Sequence, residues 1–412
     1  MANTIFTPYT LSNGAVISNR LVKAAMEENL ANTLQQPDDA LFNLYEAWAK
    51  GGVGLMITGN VMIDPLAMTG PGGVVLDPNS ALEPFIQWAK TAKQNNARIW
   101  MQINHPGRQV FKAMGGKNLA PSAIALDLGK HSSMFSQPKA MTTADIEEVI
   151  QRFATTAQLA QQAGFDGVQI HAAHGYLLAQ FLSPLTNQRN DQWGGKLENR
   201  AKLLLEVVKQ VRLKCGADFD IAVKLNSADF QRGGFDVDDA EKVINMLAQY
   251  QVEMVELSGG SYEAPAMQGR SADERTLARE AYFLSLTAQL VQRSPIPLML
   301  TGGIHRLPVA QQVIDAGFAL CGIASALAFY PDLANRWQIQ PEFVPSIPTV
   351  NWQSKPLAGL ATMAVIKRQL RRISQGKQPH TNDSPLWSLL IDQYKTKQRT
   401  KRYRHIVGLS NH

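Results

Sequence analysis

The chain has 412 residues, 45% hydrophobic side chains and two cysteines, Cys215 and Cys321, with no Cys-x-x-Cys pair and no histidine-rich neighbour. A core of this size needs no disulfide or metal staple, and this cysteine usage argues against a zinc site or a cysteine-ligated iron–sulfur cluster. The formal charge of +6 is uneven: from Asn351 onward, 12 Lys and Arg stand against two Asp and Glu, a run that a solvated helical face explains better than nucleic acid or an acidic membrane.

The opening MANTIFTPYTLSNG has no basic stretch leading into an apolar run, so no signal peptide is expected. No apolar segment is long enough to span a bilayer. The expectation is a soluble, cytoplasmic protein without membrane insertion or a nucleic-acid partner. Next, "YTLSNGAVIS" places Asn13–Gly14 between β-formers, the pattern of a hairpin, here one that plugs the bottom of a barrel. Eight apolar runs follow as predicted strands: Arg20–Ala25, Val53–Thr58, Arg98–Ile103, Gly167–His171, Ile221–Leu225, Glu253–Ser258, Pro297–Thr301 and Ala319–Ile323. Runs such as "VGLMITG" and "IAVKLN" are apolar throughout rather than alternating, as parallel strands buried on both faces should be.

Helical stretches separate these runs. In Thr143–Ala163 the residues Ile146, Val149, Ile150, Phe153, Ala157 and Ala160 recur at helical spacing, with Thr143 or Asp145 to cap the start and Gly164 the end. The connection from Asn104 to Thr142 is long and carries Gly115, Gly116, Pro121 and Pro138, which suits a lid or binding loop. Beyond Tyr330–Pro331, Trp352–Gln375 is again helical, apolar on one side and basic on the other. Eight strand–helix units predict an α/β fold, a (β/α)8 TIM barrel with an N-terminal β-hairpin cap and a C-terminal helical extension. Residues 1–345 form the barrel and residues 346–412 the basic extension packed on it.

Active sites of this fold gather at the C-terminal strand ends. Here those ends hold no paired carboxylates, no nucleophile elbow and no Walker loop. The densest group is "IHAAHGYLLAQFLSP", with His171, His174 and Tyr176 within six residues. Two imidazoles can donate to one carbonyl oxygen, and a phenol can deliver a proton. The competing readings are a metal site, which lacks a third ligand, and two satisfied core histidines. Lys224 lies inside a barrel strand, where a lysine is costly unless its charge is used. It could hold the anion of a reduced flavin, bind phosphate, form a Schiff base, or reach solvent with its head. The turns "LTGGI" and "CGIAS" follow strands seven and eight, where barrels often bind phosphate through backbone N–H groups.

These residues resemble the old yellow enzyme family of FMN oxidoreductases. The stretch "GFDGVQIHAAHGYLLAQFLSPLTNQRNDQWGGKLENR", Gly164 to Arg200, looks like that family's signature almost end to end. Supporting matches are "SNRLVKAAM", "WMQINHPGRQ", "LAPSAI", "VKLNSADF" and "LTGGI", which together span about residues 5 to 335. The resemblance implies non-covalent FMN, NADH or NADPH as co-substrate, and hydride transfer to an activated C=C bond of a small electron-poor alkene. By position it implies that Tyr176 donates the proton while His171 and His174 bind the substrate oxygen. Ala25, Met26, Glu27, Gly59, Asn60, Gln102, Lys224, Gly302, Gly303, Ala324 and Ser325 would line the cofactor, with Gln102 at the pyrimidine edge, Lys224 near N1 and Gly302–Gly303 at the phosphate. No metal is implied.

Two positions depart from the family pattern. Glu27 stands where relatives place Thr or Cys, and Ala324–Ser325 where relatives have Gly-Arg. The larger relatives add iron–sulfur cysteines and a second nucleotide domain, which groups this chain with the single-barrel members. Rival expectations are an NADH oxidase or dehydrogenase that uses oxygen or a quinone, and a flavin-less barrel acting as a binding protein. The sequence leaves room for a homo-oligomer.

Overall fold

The computed structural model describes residues 4–265, 281 and 283–409. Eight parallel strands appear where the apolar runs predict them: β1 (Leu21–Lys23), β2 (Leu55–Ile57), β3 (Arg98–Asn104), β4 (Gly167–Ala172), β5 (Asp220–Asn226), β6 (Met254–Ser258), β7 (Leu298–Thr301) and β8 (Leu320–Ile323). Each pairs in parallel with its successor, β8 pairs with β1 (Cys321 opposite Leu21), and β3 with β4 (Gln102 opposite Gln169), so the sheet closes. Nearly all their side chains are buried, as both-face burial requires. The first two strands are shorter than predicted because side chains take over at their ends. Asn19 Oδ1 accepts from the N–H groups of Leu21 and Gly54, both at 3.0 Å, and Thr58 Oγ1 accepts from Gln102 N–H at 2.9 Å.

The predicted hairpin pairs Tyr9–Thr10 with Val16–Ile17, and Gly14 at φ +86° makes its turn. Leu11 and Ile17 join Val22, Leu55, Trp100, Met254 and Met299 in one apolar cluster, which fills the N-terminal end of the barrel. Asn13 Nδ2 donates to Asp220 Oδ1 at 2.7 Å and fastens the plug. With the bottom sealed, the open end is the face where the strands terminate. There a two-rung parallel ribbon, Val61–Met62 with Val74–Val75, extends the wall beyond β3. Sequence reasoning missed it, since two-residue strands leave no periodicity.

Helix Thr143–Gln162 starts one residue earlier than the predicted cap allows: Thr142, not Thr143, is the N-cap, in a capping box with Asp145. The two last helices, Lys355–Ser374 and Pro385–Ile406, pack against each other and lie over the open face, not at the bottom. Tyr403 shares an apolar cluster with Met62, Met68, Val75 and Met114, and its Oη donates to Pro65 O at 2.9 Å. Asn43 Nδ2 donates to Ser374 O at 3.1 Å. These contacts set a wall along the barrel mouth beside β1, β2 and β3. Among the described residues, no helix is long and apolar enough to cross a membrane.

Candidate active site

Residues two apart on a strand share a face, so Gln169 and His171 on β4 both point into the barrel. The His171 ring is buried, and its Nδ1 accepts from Ala173 N–H at 3.2 Å. That bond places the ring proton on Nε2 and leaves an N–H donor facing the open end. His174 turns the chain at φ +60°. Its backbone N–H donates to Asn226 Oδ1 at 3.0 Å, its carbonyl accepts from Gln109 Nε2 at 3.1 Å, and its Nε2 lies 2.7 Å from Ser258 Oγ. The two imidazoles meet edge to face at 5.1 Å.

Burial holds both histidines well below their ordinary value. His174 and Lys224 add to the effect at His171, and Lys224 adds to it at His174. Both are therefore neutral donors near neutral pH. The left-handed backbone at His174 suits Asn but not a β-branched residue. His174→Asn should keep stability within about 0.5 kcal/mol, while His174→Val should lose about 1–2 kcal/mol. Urea denaturation of the two variants checks the pair.

Tyr176 packs its ring at 4.8 Å from His171, perpendicular to it, and its hydroxyl lies 3.2 Å from that of Tyr262. Burial raises the Tyr176 phenol well above its usual value, with Tyr262 and Glu27 adding to the rise and a hydrogen bond with Asn60 opposing it. Tyr262 rises for similar reasons, burial first and Glu27 second. From Tyr262 an aromatic series continues through Phe135 (6.1 Å) to Phe111, which stacks on Phe135 at 4.6 Å. The phenylalanines belong to the long connection after β3. Arg108 and Glu263 pair at 2.5 Å and Asp127 N–H donates to Glu263 at 2.7 Å, clipping that connection to the loop after β6.

Beneath these groups a hydrogen-bonded chain crosses the barrel. Gln102 Nε2 donates to Gln169 Oε1 (2.7 Å), Gln169 Nε2 to Glu256 Oε2 (2.7 Å), and Lys224 Nζ to Glu256 Oε1 (2.8 Å). Lys224 and Glu256 are both buried. The charge of Lys224 thus already has a counter-ion inside the protein. Sequence reasoning missed Gln169 and Glu256. The signal that could have found them is a polar residue alternating with apolar ones inside a barrel strand, two before His171 and two before Ser258. At the end of this chain Gln102 Oε1 is buried and has no hydrogen-bond partner among the described residues. An amide with an open acceptor beside a buried ammonium suits the pyrimidine edge of a flavin.

At the end of β1 the two adjacent glutamates separate. Glu28 Oε1 accepts from Lys23 Nζ (3.1 Å), Tyr45 Oη (2.7 Å) and Gly59 N–H (3.2 Å). Gly59 must be glycine here, since an added Cβ would fall 1.9 Å from Glu28 Oε2. Glu27 instead faces the mouth, half-buried beside Ala25 and Met26. Its Oε1 accepts from Thr69 Oγ1 at 2.7 Å, and Lys367 Nζ of the extension lies 3.9 Å from its Oε2. Lys23, the nearest cation in sequence, serves Glu28. Gly302 and Gly303, at φ +147° and +69°, turn away from β7 next to the β8 exit, where Ala324 and Ser325 open a short helix. No L side chain sits comfortably at those φ values, so the turn presents bare backbone.

A profile of the NADH:flavin oxidoreductase / NADH oxidase family matches residues 4–342. The chain belongs to this family. It is 34% identical over 346 residues to the NADH-dependent flavin oxidoreductase iliE of Hypocrea jecorina, covering 79% of this chain and 86% of that protein. Among solved structures, a 2-naphthoyl-CoA reductase in complex with 2-naphthoyl-CoA superposes with TM-score 0.76 at 25% identity, over 84% of this chain and 54% of its own. The chain thus spans about half of that larger enzyme. The old yellow enzyme homologue of Zymomonas mobilis gives 0.71 at 24% identity, over 84% and 95% of the two chains. As a member of this family the protein is an NAD(P)H-dependent flavin oxidoreductase with FMN as its cofactor. The open amide of Gln102, the ammonium of Lys224 and the Gly302–Gly303 turn fit that cofactor.

Proposed function

We propose that this site reduces the carbon–carbon double bond of an enone, enal or similar electron-poor alkene. The supporting observation is two neutral imidazoles and a firmly protonated phenol in edge-to-face contact at 5.1 and 4.8 Å. Bound FMN supplies the hydride, which it takes from NADH or NADPH. His171 Nε2–H, with His174 beside it, donates to the substrate's carbonyl oxygen and draws electron density away from the alkene. Tyr176 then gives its proton to the carbon next to the carbonyl, and Tyr262 and Asn60 hold the phenol in place. Lys224 and Gln102 would hold the cofactor's pyrimidine side, and Gly302, Gly303, Ala324 and Ser325 would hold its phosphate. Ala25, Met26, Glu27, Gly59 and Asn60 line its remaining edge. The Phe111–Phe135–Tyr262 wall favours an apolar substrate body.

The test is anaerobic mixing of the NADH-reduced holoenzyme with 2-cyclohexenone across pH. Both histidines titrate well below their usual range and Tyr176 well above its own, so none of these three groups changes charge between about pH 7 and 9. The rate of oxidation by the enone should be flat over that window. A break near the ordinary histidine value, or turnover with oxygen but none with the enone, would overturn the reading.

A further inference from the structure

The two C-terminal helices bring Lys367, Arg371, Lys395 and Arg399 to the mouth of the barrel, where among the described residues Glu27 and Asp392 face them. On the first helix Lys367 and Arg371 are one turn apart and share a face. Lys367 reaches Glu27 at 3.9 Å, and Arg371 donates through Nη1 to Asp392 Oδ1 at 2.9 Å. Arg371 is only 7% exposed, yet its Nη2 is buried with no hydrogen-bond partner among the described residues. On the second helix Lys395 and Arg399 lie one turn apart beyond Asp392. Arg399 is half-buried, and among the described residues no hydrogen bond or ion pair engages it.

A half-buried guanidinium without a partner is costly, and these cations also repel one another. Burial first, and then Arg371 beside them, pushes both the Lys395 ammonium and the Arg399 guanidinium below their usual values. The cluster therefore carries an excess of positive charge that an anion would offset. Its position is equally specific. The Arg399 stem lies 3.2 Å from where a Cβ on Gly72 would be, and Gly72 packs on Asn29 in the loop that carries Glu27. The charge of Glu27 in turn acts on Tyr176 and Tyr262. The cations thus flank the entrance to the reacting centre. They also lie beyond residue 342, outside the segment matched by the family profile.

We propose that Lys395 and Arg399, with Lys367 at their inner edge and the buried Arg371 behind them, bind the diphosphate of the pyridine-dinucleotide donor. The nicotinamide must reach the reacting centre, and its diphosphate trails out through the mouth. Phosphates carry the charge that this excess of cations favours, and guanidinium groups are suited to phosphate oxygens. The C-terminal extension is then the donor-recognition element of this chain.

The probe is ADP-ribose, which carries the diphosphate without a nicotinamide, titrated calorimetrically into the FMN-loaded protein. Arg399→Gln and Lys395→Gln sit at half-exposed positions that folding tolerates. Each should weaken ADP-ribose binding about tenfold, and raise the dissociation constant for NADH in rapid-mixing reduction by a similar factor. The limiting rate of reduction should move less than twofold, and Arg399→Lys should recover part of the affinity. Raising the salt concentration should weaken the parent more than the variants. Unchanged ADP-ribose affinity in both variants overturns the proposal. So does a loss confined to an acyl-CoA acceptor, which would assign the cations to phosphates of the oxidant instead.

Discussion

Tyr176→Phe should slow oxidation of the reduced holoenzyme by 2-cyclohexenone by roughly two to four orders of magnitude, the usual worth of a positioned general acid. The substitution keeps the ring that packs at 4.8 Å on His171 and removes only the hydroxyl, whose partner is Tyr262 at 3.2 Å. Reduction by NADH should stay within about twofold, because no substrate proton moves in that half of the cycle. Oxidation by a quinone, which can take protons from water, should also change little. Stopped-flow traces of the three reactions decide the matter. Equal loss in all three would make Tyr176 a packing residue. No loss with the enone would transfer proton donation to another group, and Tyr262, the other raised phenol, would be the first to examine.

Lys224→Met should cost about 3–5 kcal/mol of stability, because it leaves Glu256 charged and unpaired inside the barrel. The pair is buried and bonded at 2.8 Å, and Glu256 also accepts from Gln169. Adding Glu256→Gln removes the stranded charge, so the double variant should recover most of the loss. Its FMN dissociation constant should nevertheless remain raised about tenfold, since the ammonium that holds the cofactor is still missing. Urea denaturation and flavin titration of the single and double variants separate these two roles. A double variant that regains both stability and FMN affinity would show that Lys224 serves Glu256 alone.

The strands were legible because parallel strands buried on both faces must be apolar throughout, and "VGLMITG" and "IAVKLN" have that composition. His171, His174 and Tyr176 were legible because one turn of chain carries all three. Lys224 stood out as a charged residue where a barrel strand should have none, and Gln102 was placed by the family resemblance. Glu256 and Gln169 carry the same signal, yet they went unread, since each sits in a run that still looks like an ordinary strand. What sequence could not reveal was pairing across long separations. Nothing local to Glu27 announces Lys367, and Lys23 looks like its natural counter-ion until folding gives it to Glu28. The basic, amphipathic character of Trp352–Gln375 was plain, but amphipathicity says only that a helix packs, not on which end of a barrel.

The position of the last two helices also orders events during biosynthesis. All eight strands precede the last two helices in the chain, so the sheet can close before those helices fold. Gln102 and Lys224 belong to strands of that sheet, whereas Lys367, Arg371 and Arg399 belong to the segment made last. Contacts that span most of the chain repay their entropy last, and Glu27 with Lys367 is such a contact. For that interval the barrel mouth stands open on one side, wider than it will be again. The same chain order leaves a route by which a flavin nucleotide can reach the mouth before the final helices fold down beside it.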